Sequence, residues 1–199
     1  DYTYGPSKFT GYAYLNENET QTLTSHKNFG VRYTFNKTAA NGLGWLGTAE
    51  YAKQDSYADG ASKIDADYLF FEGGVVFKGN TFKAGYEQLG GDGQYGFQTP
   101  FATLHAFNGW ADRFLSTPVN GLQDSYLSWN RKFGKFGAMI VYHDFNSDNA
   151  NLDYGTEWDA SLSWAIAKKW TFLAKVADYQ ADQYLADTTK LWMSVEYVY

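Results

Sequence analysis

Apolar side chains recur at every second position along most of this chain. Phe29, Val31, Tyr33 and Phe35 alternate with Asn28, Gly30, Arg32 and Thr34, and Leu69, Phe71, Gly73, Val75 and Phe77 alternate with Tyr68, Phe70, Glu72 and Gly74. Further on, Trp158, Ala160, Leu162, Trp164 and Ile166 stand against Glu157, Asp159, Ser161 and Ser163, and the chain ends on Leu191, Met193, Val195, Tyr197 and Tyr199. A period of two is the signature of a strand with one apolar and one polar face, and helical spacing explains none of these runs. About ten such segments follow, near residues 7–16, 27–36, 43–53, 66–78, 80–89, 122–132, 135–145, 156–167, 169–179 and 189–199.

The connections alternate between long (17–26, 54–65, 90–121, 146–155, 180–188) and short (37–42, Gly79, 133–134, Lys168). Short turns at one rim and long loops at the other describe an all-β, transmembrane, antiparallel up-and-down barrel of about ten strands, with short periplasmic turns and long extracellular loops. The whole of 1–199 reads as one such domain. An even strand count leaves both ends of the chain on the short-turn side. Charge follows the same axis. Lys37, Lys78, Arg131, Lys132, Lys135, Lys168 and Lys169 cluster at the short turns, while Glu17, Glu19, Asp55, Asp59, Asp65, Asp92, Asp148, Asp153, Asp182 and Asp187 occupy the long loops.

Composition narrows the alternatives. Seven Trp, 17 Tyr and 15 Phe in 199 residues argue against disorder, and the absence of Cys excludes a disulfide framework and a Cys-based zinc site. A net charge of −6 argues against a nucleic-acid partner. A mean hydropathy of −0.47 looks soluble, yet a transmembrane barrel hides its apolar face in alternation. A soluble sandwich or ligand-binding barrel would carry the same period. Two features favour lipid outside: charges of both signs on the polar face at mid-strand, and aromatics near strand ends on the apolar face (Tyr51, Phe77, Tyr86, Tyr142, Trp158, Trp170 and Tyr199), as in interfacial girdles. A start at Asp1 fits a removed signal or a shortened chain.

The segments FTGYAYL (9–15), TAEYAKQ (48–54), KAGYE (83–87) and VYHDF (141–145), and above all the loop FQTPFATLHAFNGWADRF (97–114), resemble the C-terminal part of the alginate-export family of bacterial outer-membrane barrels. That family's barrels have eighteen strands, so the resemblance implies either part of a larger barrel or a shortened one that closes alone. It implies localisation in the bacterial outer membrane and, as partners, the lipid bilayer, lipopolysaccharide and the barrel-assembly machinery through the C-terminal Tyr199. Strand number decides what passes: ten strands give a backbone diameter of roughly 20 Å and eighteen roughly 36 Å.

The candidate pore lining is Arg32, Glu50, Glu72, Lys83, Glu87, His143, Asp159, Lys175 and Glu196. Arg32 is expected beside Glu50, Glu72 beside Lys83, and Lys175 between Glu157 or Asp159 on one side and Glu196 on the other. Such pairs either neutralise a narrow lumen or form a selectivity lining. A conduit for a polyanion needs a strongly basic lumen, whereas acidic side chains here are at least as numerous as basic ones. The expected function is therefore porin-like passive passage of small polar solutes or ions.

The loop 90–121 is far longer than a hairpin needs. Phe101, Leu104, Phe107 and Phe114 follow Thr99 and Pro100 at near-helical spacing, which predicts a short helix folding into the mouth and placing His105, Trp110, Asp112 and Arg113 at a constriction.

An enzyme is not expected, because His143 and Asp144 point to opposite faces of one strand and only His26 and His105 remain. No phosphate loop, HExxH or EF-hand pattern appears, so no cofactor or metal centre is expected. The acidic loops around 148–153 and 182–187 are solvated, or bind Ca²⁺ or Mg²⁺ or bridge to lipopolysaccharide through them. The competing readings are a closed, truncated or engineered structural barrel without transport, and an outer-membrane hydrolase.

Overall fold

A computed structural model of the chain describes residues 1–199, apart from the side chain of Leu104. Eleven strands form one antiparallel sheet in sequence order: β1 (Tyr2–Tyr4), β2 (Ser7–Asn16), β3 (His26–Thr38), β4 (Gly44–Ser56), β5 (Asp65–Phe77), β6 (Asn80–Leu89), β7 (Leu122–Phe133), β8 (Phe136–Asn146), β9 (Asp153–Ala167), β10 (Trp170–Ala181) and β11 (Thr188–Tyr197). Ten of these are the segments the period predicts. The eleventh is β1, which pairs Tyr2 with Phe9 and Tyr4 with Ser7 and is too short to show a period of its own. Each strand bonds only to its sequence neighbours, and the ladder runs from β1 to β11 without a bond that joins its two ends. Closure into a barrel is thus not part of the observed hydrogen bonding.

The connections keep the alternating rhythm. Between β5 and β6 the turn is Lys78 and Gly79, both left-handed (φ 48° and 78°), the conformation that matches the twist of a two-residue hairpin. The loop from β6 to β7 contains one turn of 3-10 helix, Leu104–Ala106, where the sequence predicts an apolar helix. Its apolar residues are shared between two environments: Phe97 and Phe114 are buried, while Phe101 and Phe107 are exposed. Leu104, the fourth member of that expected face, lies outside the described side chains.

The two faces of the sheet differ as the alternation requires. Val31, Phe71, Leu127, Ile140, Trp158, Val176, Leu191 and Met193 lie on the convex face, where they are exposed. Toward the long-loop rim this face turns polar, at Lys53, Asp67, Asp144 and Asp178. Aromatic pairs mark the band's borders: Tyr142 against Trp158 at 4.8 Å on one side, Trp170 against Tyr197 at 4.8 Å on the other. Along β5, Leu69 to Phe77 spans about 20 Å of height at 3.3 Å per residue and a tilt near 40°, close to the band of a transmembrane barrel. Tyr199 lies beyond the end of β11 and is wholly exposed.

On the concave face, two glycines make room for tyrosines. Tyr12 lies across its register partner Gly30 and donates to Glu50 Oε1 at 2.6 Å, two strands away; Tyr126 lies across Gly85 and donates to Glu72 Oε2 at 2.7 Å. A Cβ on either glycine would occupy the tyrosine ring. Substituting Gly85→Val is therefore expected to displace Tyr126 and lower stability by about 1–3 kcal/mol. A reduced urea midpoint of the refolded protein reads this out, while Gly73→Val, whose Cβ would meet open space on the convex face, leaves the midpoint in place.

Candidate functional site

All nine residues of the predicted lining, Arg32, Glu50, Glu72, Lys83, Glu87, His143, Asp159, Lys175 and Glu196, have the strand parity of the concave face. Arg32 donates to Glu50 at 2.6 Å and Lys83 to Glu72 at 2.9 Å, as their spacing suggests. With the tyrosines, each carboxylate of these pairs receives one cationic and one phenolic donor. The third expected cluster forms only in part: the Asp159 charge acts on Lys175, but Glu196 lies elsewhere. Register sets Lys175 opposite Ser161 and Trp192, and Glu196 opposite Thr171 nearer the short-turn rim, so Lys175 and Glu196 do not meet. Lys175 reaches instead to the long loop, where Nζ lies 2.8 Å from His105 Nε2 and 4.0 Å from the centre of the Trp110 ring.

That loop crosses the concave face and is fastened at every stage. Fully buried Gln54 on β4 accepts from the Gln98 backbone N–H at 2.9 Å and the Tyr95 hydroxyl at 2.6 Å, and donates to the Gln98 carbonyl at 2.9 Å. The Asn108 amide donates to Glu87 on β6 at 2.8 Å. The next residues rest on β9: the Trp110 N–H donates to Asp159 Oδ2 at 3.0 Å and the Ala111 N–H to Glu157 Oε1 at 2.6 Å. Both carboxylates are completely buried. Gly109 (φ 84°) lets the backbone sit this close, because a Cβ there would overlap the Glu157 carboxylate. Beyond, Phe114 packs among Phe145 at 4.5 Å, Tyr179 at 5.8 Å and Tyr154 and Tyr184 at 5.9 Å, a small core inside the long-loop rim.

The four predicted constriction residues are all in this crossing segment. His105 Nδ1 lies 2.6 Å from Asp112 Oδ1, and Lys190 on β11 donates to Asp112 Oδ2 at 2.8 Å. Partial burial works against the Asp112 charge, but these bonds from Lys190 and His105 hold its carboxyl below the usual range. Trp110 carries Lys175 on its ring, and Arg113 is half-buried with no partner for Nε among the described residues.

His143 and Asp144 point to opposite faces, as the alternation requires. Asp144 faces the convex side, while Nδ1 of His143 lies 2.9 Å from both oxygens of Asp124 on β7 and Nε2 lies 3.7 Å from Asp159. Glu87, Asp124, His143, Glu157 and Asp159 thus form an acidic belt across β6 to β9 beneath the loop. Sequence reasoning missed Asp124, Gln54 and Asn108 as members. The Asn108-Gly109 dipeptide and the same-face spacing of Glu157 and Asp159 are the signals that mark where the loop settles. Among the described residues no hydroxyl bonds to His143 and no group of three or more His or acidic side chains is arranged to hold a metal ion.

The crossing loop leaves a cavity of about 500 Å³ against β2–β6, bordered by Tyr12, Arg32, Glu50, Tyr68, Glu87 and, from the loop, Phe101 and Phe107.

No protein-family model matches the chain, and no curated protein matches it. Among solved structures, the fold is similar to Acinetobacter baumannii OccAB4, with a TM-score of 0.74 at 17% identity over 98% of this chain and 50% of that one. It is also similar to Pseudomonas aeruginosa OpdL, with a TM-score of 0.69 at 15% identity over 89% of this chain and 52% of that one. Both are outer-membrane β-barrel channels. The chain spans about half the length of each.

Replacing Gly109 by Ala is expected to lift the loop from β9. With bonds to charged acceptors contributing about 1.5–3 kcal/mol each, hydrogen exchange at the Trp110 and Ala111 amides should speed up by roughly 10- to 100-fold, while the β8–β9 ladder stays protected.

Proposed function

We propose that this sheet is wall and inward loop of a bacterial outer-membrane barrel through which small polar solutes or ions pass passively. The observation that carries the reading is the division of the sheet: an apolar band on the convex face, and a concave face of polar and charged side chains, most of which bond to one another or to the crossing loop. A lipid core offers the convex face what it lacks, and an aqueous lumen suits the other. The nine lining residues and the four of the crossing loop are the proposed pore wall and constriction.

Closure belongs to this proposal. Unpaired N–H and C=O groups along the outer edges of β1, of β2 beyond Phe9 and of β11 have no water to bond in hydrocarbon, so a membrane-embedded form has to pair them. The kinship with alginate-export barrels is also proposed, on the segment 97–114, which is the very stretch that crosses the lumen. Alginate itself is not the proposed cargo, because the acidic belt of Glu87, Asp124, Glu157 and Asp159 opposes a polyanion. Lipopolysaccharide at the polar convex rim and the barrel-assembly machinery at the C-terminal aromatic are the proposed partners.

One observation favours a second reading, a closed structural barrel: the loop is held by side chains of β4, β6, β9, β10 and β11 through hydrogen bonds and packs on Phe145 of β8. Conductance in planar lipid bilayers separates the two. The channel reading expects discrete openings of the wild-type protein, and a several-fold larger conductance once residues 104–112 are replaced by a short glycine-serine link. A silent wild type that conducts only after that replacement supports the structural barrel, and silence of both overturns the channel.

A further inference from the structure

His105 sits in a chain of four groups that joins the crossing loop to the last two strands. In order they are Lys190 on β11, Asp112, His105 and Lys175 on β10, with contacts of 2.8, 2.6 and 2.8 Å. The order dictates the proton positions. Asp112 accepts from Lys190 through one oxygen and from His105 through the other, so Nδ1 of the imidazole carries its hydrogen. Nε2 must then offer a lone pair, because the group facing it is an ammonium that only donates. The link holds while His105 is neutral.

Protonation at Nε2 removes that acceptor and sets an imidazolium N–H against an ammonium at the same distance. The surroundings offset the extra charge only in part. Asp112 already takes bonds from both Lys190 and His105, and Asp159 on β9, whose charge acts on Lys175, accepts from the Trp110 N–H through Oδ2 and keeps Oδ1 without a hydrogen-bond partner. From β11 the imidazole meets the edge of the Trp192 ring at 5.3 Å, and Trp192 also lies 5.4 Å from Lys175 Nζ and 6.0 Å from Lys190 Nζ. The ring face of Trp110 at 4.0 Å holds Lys175 in place, so the lysine is braced against the histidine from behind.

We infer that the Lys190–Asp112–His105–Lys175 chain is an acid-released latch: it pins the crossing loop to β10 and β11 at neutral pH and lets that part of the loop go when His105 is protonated. Release concerns residues 104–112 on the β10–β11 side, while Gln54 and the Phe114 core hold the loop's two flanks. The latch rests on the proposed channel for its consequence, a change in conduction with pH, but not for its existence.

Hydrogen exchange of the refolded full chain tests it without reference to transport. Between about pH 7.5 and pH 5, after correction for the intrinsic rate, exchange at the amides of 104–112 should rise by about tenfold or more in the wild type. In His105→Gln, which keeps a donor and an acceptor but does not titrate, and in Lys175→Gln, which removes the opposing charge, the rise should fall below about twofold. Acid also reaches Glu157 and Asp159, and the Lys175→Gln variant separates the causes, since release by those carboxylates would persist in it. A wild type whose loop exchange is indifferent to pH, or an equal response in all three proteins, overturns the latch. If exchange follows the latch but bilayers show no openings at any pH, the channel reading fails and the latch stands.

Discussion

A polar side chain on the inside of this curved sheet has to find its partner there, because the other face is apolar from border to border. Much of the architecture answers that requirement. Glycines at 30 and 85 open a path for Tyr12 and Tyr126 to reach Glu50 and Glu72 across an intervening strand, and Arg32 and Lys83 complete the same carboxylates. The long loop adds further donors: its backbone N–H groups at 110 and 111 meet Asp159 and Glu157, and the Asn108 amide joins the Tyr68 hydroxyl of β5 on Glu87. Burying those carboxylates without donors would cost several kcal/mol each. The loop is therefore not an ornament laid over a finished wall; wall and loop complete each other.

The same dependence explains why the loop holds no more than the single 3-10 turn at Leu104–Ala106. An apolar helix needs one environment along one face, but this segment meets Gln54 on β4, carboxylates on β6 and β9, an aromatic core at the rim and lysines on β10 and β11. Its backbone is used to bond outward, and left-handed residues at Asn108, Gly109 and Asp112 turn it toward those partners. A helix would spend those N–H groups on itself.

The strands were legible because a period of two is local: 80–89 and 7–16 coincide with β6 and β2, and the remaining ends differ by a few residues. Strand parity is equally local, and it puts all nine lining residues on one face. What a single strand cannot tell is register, since that depends on where its neighbour starts. Arg32 and Glu50, and Glu72 and Lys83, flank short turns that fix the pairing by counting. Lys175 and Glu196 are separated by a long loop, and the expected contact between them does not occur. That His143 cannot meet Asp144 was legible from parity, but its partner Asp124 was not, because Asp124 lies on a different strand and the ladder decides. The tether residues Gln54 and Asn108 were invisible because an amide in a polar alternation looks like any solvated one until something is laid across it.

The neighbouring folds are twice as long as this chain, so the similarity fixes the shape of the sheet and leaves the two-sided solvation as the claim on which the account stands. The chain has no cysteine, which allows single cysteines to be placed at will. The most direct measurement is labelling, by a membrane-impermeant maleimide, of the lipid-reconstituted protein carrying Val31→Cys, Thr34→Cys, Met193→Cys or Ser194→Cys. The account requires rapid labelling at 34 and 194 and protection at 31 and 193. Equal labelling of all four, or the reverse order, would contradict it.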